Sequence, residues 1–215
     1  MTQEDLMATG KINTTIEGID LYAEDWVEQA AAKVGAVEGN TYVKLNRGIL
    51  TVNQIDALLD SIPLEFSYID ANNQFIYYNN DKPTDEMIAP SQPSSVGRPL
   101  GTLHPEAITK MVEKITGQLR AGTLDHFRIS HPRKDGQQYV THNYQRIQDK
   151  DGNYMGINEY VQDLIPLIQY YLKETGQKLV PDEETTARCT MPPIDIDALS
   201  GASKEIDATS HATSI

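Results

Sequence analysis

Apolar and polar side chains alternate along residues 63–70, and a second extended segment at 75–78 follows a short polar stretch at 71–74. Strict alternation predicts a β-strand that is covered on one face, and Asn72 and Asn73 favour a turn. The pattern therefore predicts a β-hairpin over residues 63–78.

Three more extended segments follow at residues 124–131, 138–148 and 154–162. The turns between them contain Asp135-Gly136 and Asp151-Gly152, and Asp-Gly between extended segments is a strong hairpin signal. This order predicts an antiparallel meander of three strands.

Apolar positions recur at helical spacing ahead of these strands. Residues 20–34 predict a short amphipathic helix. Residues 50–59 predict a second helix, with Thr51 as its N-cap and Gln54 completing a capping box. Residues 81–99 are rich in Pro, Ser and Asp, so they predict a surface loop with one helical turn near Met87.

Two more helices and a tail complete the pattern. A helix opens at residues 103–105 with a proline at its start, and Gly122 ends it. Residues 164–175 predict an exit helix that ends at Gly176. Residues 178–215 are rich in Asp, Glu, Thr, Ser and Ala without an apolar period, which is typical of a disordered tail.

Several short segments, taken in order, resemble a known family. Residues 64–79 resemble the opening hairpin of PAS domains, residues 96–100 with 103–105 resemble their helix entry, and residues 152–156 through 161–163 resemble their closing strand. The resemblance implies an α+β PAS fold, in which a five-stranded antiparallel sheet carries helices on one face.

The lead-in at residues 48–52 is similar to that of the PAS branch found C-terminal to hemerythrin-like domains in bacterial proteins. We divide the chain into an N-terminal helical or irregular extension (1–47), a PAS domain with lead-in and exit helices (48–176) and an acidic flexible tail (177–215). The resemblance implies a ligand- or cofactor-binding sensor or signalling module rather than an enzyme. It also implies a homodimer through the flanking helices and a separate protein partner for signal output.

The negative net charge of the chain disfavours two classes of binding partner. The chain carries 18 Lys and Arg against 31 Asp and Glu, a formal net charge of -13. Such a surface repels phosphate backbones and anionic lipid head groups, so nucleic-acid and membrane binding are disfavoured. No segment reaches the roughly 20 apolar residues of a membrane span, and the N-terminus lacks a basic start before an apolar run, so we expect a cytoplasmic protein.

Candidate chemistry in the folded part is sparse. The sequence contains no nucleophile elbow, phosphate loop, Rossmann fingerprint or HExxH pattern, so hydrolase, kinase or dehydrogenase chemistry is not predicted. Aromatic side chains on the predicted strands would suit a planar ligand such as a flavin, if the sheet and its helix enclose a cavity.

Histidines offer one alternative to a flavin. His104 precedes a proline at a helix start, where we expect its imidazole to satisfy local backbone donors. The alternative is an axial haem ligand, because some PAS domains bind haem through a histidine in this helical region. His126, His131 and His142 lie on predicted strands, and we expect them on a solvated face of the sheet.

The tail contains a more specific pattern. Residues 197–203 resemble the FMN acceptor motif of proteins modified by a flavin transferase, and residues 207–213 repeat it more weakly with Thr213 as the last hydroxyl. The motif comprises Asp197, Ser200, Gly201, Ala202 and Ser203. The resemblance implies that Ser203 receives FMN through a phosphoester, although these residue types also dominate disordered tails. Covalent FMN would make the chain an electron carrier, which is a different class from a sensor.

Overall fold

The computed structural model describes residues 14–80 and 82–181. Over these residues the helices are α1 (Trp26–Val34), α2 (Val52–Asp60), α3 (Thr109–Ala121) and α4 (Ile165–Thr175). The strands are β1 (Tyr42–Leu45), β2 (Gly48–Thr51), β3 (Glu65–Asp70), β4 (Phe75–Tyr78), β5 (His126–Arg133), β6 (Gln138–Gln148) and β7 (Tyr154–Asp163). Short 3₁₀ turns at Thr84–Glu86, Pro93–Ser95, Leu100–Thr102 and Glu106–Ile108 shape the segment between β4 and α3.

Strands β3 to β7 form one antiparallel sheet in the order β4-β3-β7-β6-β5. The predicted α+β fold with a five-stranded sheet is confirmed. Strand β7 lies in the middle of the sheet, paired with β3 on one side and β6 on the other. A residue in the middle of β7 is therefore positioned at the centre of whatever covers the sheet.

Helix α3 packs across one face of this sheet and contacts β6 and β7. We call this the inner face. Its apolar contacts join the buried side chains Ile69, Phe75, Leu100, Ile115, Leu119 and Ile157 into one core cluster. Leu119 on α3 is fully buried, as expected for the apolar stripe of a helix that covers a sheet.

The capping box at the start of α2 is confirmed. The backbone N–H of Gln54 donates to the Thr51 hydroxyl at 3.2 Å, and the Thr51 N–H donates to the Gln54 side-chain oxygen at 2.9 Å. Two otherwise unsatisfied donors of the first turn are paired in this way, which fixes where the helix begins.

Helix boundaries differ from the prediction at three places. Leu50 lies in β2 and not in a helix, because residues 48–51 pair with 42–45 in a small separate hairpin. Helix α1 begins at Trp26 rather than at residue 20. A 3₁₀ turn at Glu106–Ile108 follows Pro105, so α3 begins only at Thr109.

The N-terminal segment packs directly onto the sheet domain. Trp26 and Ala30 of α1 are each only 4% exposed and belong to the core cluster. The Thr15 N–H donates to the Gln74 side-chain oxygen at 2.9 Å, and the Thr15 hydroxyl bonds the Asp70 carboxylate. The division at residue 48 stays a prediction, but α1 shares one core with the strands that follow it.

Candidate ligand-binding site

The buried row on the inner face of β7 is formed by Ile157, Glu159 and Val161. Glu159 is 9% exposed, although its neighbours in this row are apolar. Antiparallel pairing places Tyr144 of β6 opposite Glu159 and His142 opposite Val161. Because residues directly opposite each other in a sheet share a face, Glu159, Tyr144 and His142 all point to the inner side.

Glu159 and His142 form a buried pair. The His142 Nδ1 atom lies 3.3 Å from a Glu159 carboxylate oxygen, and the His142 side chain is fully buried. The His142 ring also stacks on the ring of His131 from β5, with centroids 5.6 Å apart and planes at 14°. His142 Nε2 is buried and has no hydrogen-bond partner among the described residues.

The expectation of a solvated sheet face is wrong for His142. The two-residue period of the strands separates their two faces, but it does not say which face α3 covers. The cross-strand register places His142 beside Val161 and Ile129 on the inner face. His126 lies on the opposite face, where its Nε2 atom is 3.3 Å from the Asn143 side-chain oxygen.

Tyr144 is the second polar neighbour of Glu159. Burial of the hydroxyl raises its pKa well above 10, and the charge of Glu159 and a hydrogen bond to that carboxylate raise it further. The ring is partly exposed, but the hydroxyl end lies in the interior. Tyr144 is therefore a neutral donor toward Glu159 at all ordinary pH values.

Three adjoining cavities lie between the inner face, α3 and the segment that precedes α3, and Glu159 lines all three. We call them the Glu159 cavities. Their volumes are about 20, 30 and 20 Å³. The largest is bounded mainly by apolar side chains, together with His104, Thr116 and Tyr144. The site is thus a set of three small chambers that share the Glu159 carboxylate in their walls.

A second buried carboxylate anchors the wall of these cavities. Glu65 of β3 is 5% exposed and accepts hydrogen bonds from the backbone N–H groups of Ile88 at 2.8 Å and Ala89 at 2.7 Å. It also forms an ion pair with Lys82 at 3.1 Å. Glu65 and Ala89 both line one of the cavities, so Glu65 fixes the position of the cavity wall and is itself part of that wall.

His104 lies at the edge of the same site. It is 8% exposed, and its Nδ1 atom is 3.0 Å from the carbonyl oxygen of Leu100. The contact is local, as expected, but its backbone partner is a carbonyl acceptor and not one of the predicted N–H donors. His104 also lines two of the Glu159 cavities, so it could in addition contact a ligand there.

Neither a flavin ring nor a haem fits these cavities. One water molecule needs about 10–15 Å³, so a chamber of about 30 Å³ holds only a few non-hydrogen atoms. Within residues 14–80 and 82–181, no group of three or more His, Cys, Asp and Glu side chains is placed to hold a metal ion.

The FMN-acceptor residues of the tail, including Asp197, Ser200, Gly201, Ala202, Ser203 and Thr213, lie outside the described residues. Covalent attachment of FMN therefore stays a prediction from the sequence. Among the described helices, none is both long enough and apolar enough to cross a membrane.

Comparison with protein families agrees with this architecture. A family model described as a PAS domain matches residues 55–165, which are 111 of the 215 residues. The chain belongs to the PAS domain family. PAS domains are sensor and signalling modules, and the match includes every strand of the sheet and all of α3. No curated protein matches the chain.

The chain is also similar to several solved structures. The crystal structure of a C-terminal domain from Streptococcus mutans is 30% identical, covers 62% of this chain and 99% of its own, and superposes with a TM-score of 0.59. A PAS domain from Colwellia psychrerythraea is 17% identical over 52% of this chain and 94% of its own, with a TM-score of 0.37. A sensory box histidine kinase from Vibrio cholerae is 18% identical over 52% of this chain and 89% of its own, with a TM-score of 0.36.

Sequence reasoning missed Glu159, Tyr144 and His142 as members of one site. A glutamate flanked by apolar residues two positions away on each side, Ile157 and Val161, was the available signal. On a strand this spacing places the carboxylate on the apolar face, where an acidic side chain needs partners.

Proposed function

We propose that this PAS domain is a sensor that binds a small molecule in the Glu159 cavities. The observation that carries the proposal is a carboxylate on the central strand that faces three adjoining chambers lined mainly by apolar side chains. Ligand sites are typically concave and apolar with a few polar groups that fix orientation, and this arrangement has that composition.

The interior placement supports binding rather than turnover. Glu159 and Tyr144 lie on the sheet and line a cavity that α3 also bounds, so a ligand there would contact both and could change how α3 packs. A sensor needs such a coupling, because a ligand shifts a conformational equilibrium only through different contacts in the two states.

Fragment binding tests the proposal. We expect fragments of up to about six non-hydrogen atoms to shift backbone amide signals of α3 and β7 in ¹H–¹⁵N correlation spectra. The variant Val112→Phe fills the largest cavity and should abolish these shifts, whereas Val37→Phe, at an exposed position, should leave them unchanged. If no fragment shifts these amides, or if Val112→Phe leaves the shifts unchanged, the proposed site is wrong.

The exit helix is the proposed output surface. Leu167, Tyr170 and Tyr171 of α4 are 55%, 66% and 53% exposed, and α4 has no buried residue. Large apolar side chains on one exposed helix are suited to pairing with a second copy of the chain, and closed two-fold dimers are the commonest assemblies.

Light scattering after size-exclusion chromatography tests this surface. We expect the wild type to be a dimer and Leu167→Glu to shift it toward monomer. Gln169→Glu adds the same charge at an exposed polar position of α4 and should leave the dimer intact. A monomeric wild type, or equal effects of the two variants, would contradict pairing through α4.

A covalent flavoprotein is the second candidate, supported by the tail motif at residues 197–203. In this function a flavin transferase would join the Ser203 hydroxyl oxygen to the FMN phosphorus of FAD, while the pyrophosphate bond breaks and AMP leaves. Intact mass after coexpression with a flavin transferase tests it. We expect an FMN-sized increase that Ser203→Ala abolishes and Thr213→Ala retains, and an unmodified wild type would rule the function out.

Haem ligation by His104 remains an alternative from the sequence. It would require the chambers beside His104 to open far beyond about 30 Å³. The imidazole would either lose its contact with the Leu100 carbonyl or keep it through Nδ1 while the other ring nitrogen binds iron. An absorption spectrum of protein expressed with a haem supply tests it, because haem ligation predicts a Soret band that His104→Ala abolishes.

A further inference from the structure

The chemistry around Glu159 narrows the class of ligand, on the premise that the Glu159 cavities are the binding site. A carboxylate has about four lone-pair positions on two oxygens and donates nothing. Tyr144 donates one hydrogen bond to it, and the Nδ1 atom of His142 lies 3.3 Å from one of its oxygens. The remaining acceptor capacity of Glu159 faces the chambers that it lines.

Within residues 14–80 and 82–181, no Lys or Arg side chain lines the Glu159 cavities. Among the described residues, the ion-pair partner of Glu159 is His142, which approaches from β6 and does not line the chambers. The largest chamber contains no Lys or Arg side chain in its wall. His142 approaches Glu159 through a single ring nitrogen, Nδ1, so the carboxylate keeps acceptor sites on its cavity side.

We propose that the Glu159 cavities select a compact, mainly apolar molecule that carries a protonated amine, with the ammonium bonded to Glu159. Burying a carboxylate among apolar side chains is costly unless it is paired and hydrogen-bonded. An ammonium ligand supplies both the charge and the donors, and its hydrocarbon part fills the space beside Ile115, Leu119 and Ile157. A carboxylic acid of the same shape would place a second negative charge against Glu159 and be excluded.

The chamber size sets an upper limit on the ligand. Three adjoining spaces of about 20, 30 and 20 Å³ accommodate a branched amine of about five non-hydrogen atoms, given that a water-sized probe needs about 10–15 Å³. Isobutylamine has this size and branching. Isobutanol and isobutyric acid have closely similar carbon skeletons, so the three compounds separate charge from shape.

Titration calorimetry and ¹H–¹⁵N spectra of the full chain with these three probes test the proposal. We expect isobutylamine to bind most tightly, isobutanol more weakly and isobutyric acid not at all. Loss of a hydrogen bond to a charged group corresponds to roughly tenfold or more in affinity, so Glu159→Gln should weaken isobutylamine binding by at least about tenfold. Glu174→Gln, an exposed change of the same type on α4, should leave the affinity unchanged.

The outcomes separate this inference from the proposed function. If isobutyric acid binds as tightly as isobutylamine, or if Glu159→Gln leaves the amine affinity within twofold, the amine selectivity is wrong. If neutral fragments bind in the cavity and Val112→Phe blocks them while isobutylamine does not bind, the sensor site stands and the amine class falls. If no fragment of any class binds, both fall together. A circular dichroism spectrum of Glu159→Gln that matches the wild type ensures that lost binding reflects the site.

Discussion

The backbone of Gly97 lies against the indole ring of Trp26, so that a Cβ atom added at Gly97 would be only 2.3 Å from the ring. Gly97 also has a φ of +89°, a backbone conformation that residues other than glycine rarely adopt. Trp26 is the only tryptophan of the chain and is 4% exposed. The N-terminal helix α1 is thus fitted to the segment that walls the Glu159 cavities.

Gly97→Ala should be strongly destabilising. Forcing an alanine into a positive φ costs about 1–2 kcal/mol, and displacing the Trp26 ring from a packed core adds a similar or larger cost. We expect a loss of about 3 kcal/mol in the free energy of unfolding by urea denaturation, with a red shift of the Trp26 fluorescence. The red shift reports displacement of the Trp26 ring, whereas the lost stability also includes the backbone strain at residue 97.

Gly136→Ala is the matched control for Gly97→Ala. Gly136 has φ +85°, but a Cβ there would meet nothing within 4 Å. This variant should cost only the backbone strain of about 1–2 kcal/mol and leave the Trp26 emission unchanged. Equal costs for the two variants would show that the contact between Gly97 and Trp26 is unimportant.

The raised pKa of Tyr154 should lower the stability of the folded protein in alkaline solution. Burial raises the pKa of its hydroxyl from 10 to about 12, and the nearby Arg120 opposes part of that rise. Because the folded pKa lies above the unfolded value, the unfolded chain loses its proton first as pH rises. The contribution of this raised pKa to the free energy of unfolding is therefore complete below pH 10 and is lost between pH 10 and about 12.

Tyr154→Phe isolates this effect. The Tyr154 hydroxyl is buried without a hydrogen-bond partner among the described residues, so its removal should change stability at pH 7 by less than about 1 kcal/mol or increase it slightly. Between pH 9 and pH 11 the wild type should lose about 1 kcal/mol more than the variant, which urea denaturation at both pH values measures. Parallel pH profiles for the two proteins would contradict the account.

Glu65 should control the mobility of the cavity wall. Glu65→Ala leaves the N–H groups of Ile88 and Ala89 without their acceptor, at a cost of about 2–3 kcal/mol. We expect faster hydrogen exchange at residues 87–91 in this variant, measured by mass spectrometry.

Lys82→Met separates the charge pair from the backbone anchor. The Lys82 side chain is 41% exposed, so its ion pair with Glu65 contributes at most about 1 kcal/mol. Exchange at residues 87–91 should stay close to the wild type in Lys82→Met. If Lys82→Met loosens the segment as much as Glu65→Ala, the backbone hydrogen bonds do not hold the wall.

Local signals made most of the fold predictable. Alternation marked β3 and β4, Asp-Gly marked the meander turns, and the Thr51 and Gln54 side chains marked the start of α2, because each signal depends on neighbours in the sequence. The hairpin of β1 and β2 was missed because its two four-residue strands carry too little periodicity. Its formation also removed Leu50 from the predicted helix.

The candidate site could not be predicted in the same way. Glu159 and His142 lie 17 positions apart in the sequence, and only the register between β6 and β7 brings them to one face. The alternation of side chains along a strand separates the two faces of the sheet, but only tertiary packing determines which face α3 covers. His104 was identified from its local context, and its contact with Leu100 is of the same local kind.

A crystal structure of the protein soaked with isobutylamine tests the central claim most directly. The account predicts density for the amine within the Glu159 cavities, with its nitrogen at hydrogen-bond distance, about 2.8 Å, from a Glu159 carboxylate oxygen. Amine density that lies only on the surface, or an amine nitrogen within the cavities that points away from Glu159, would contradict it.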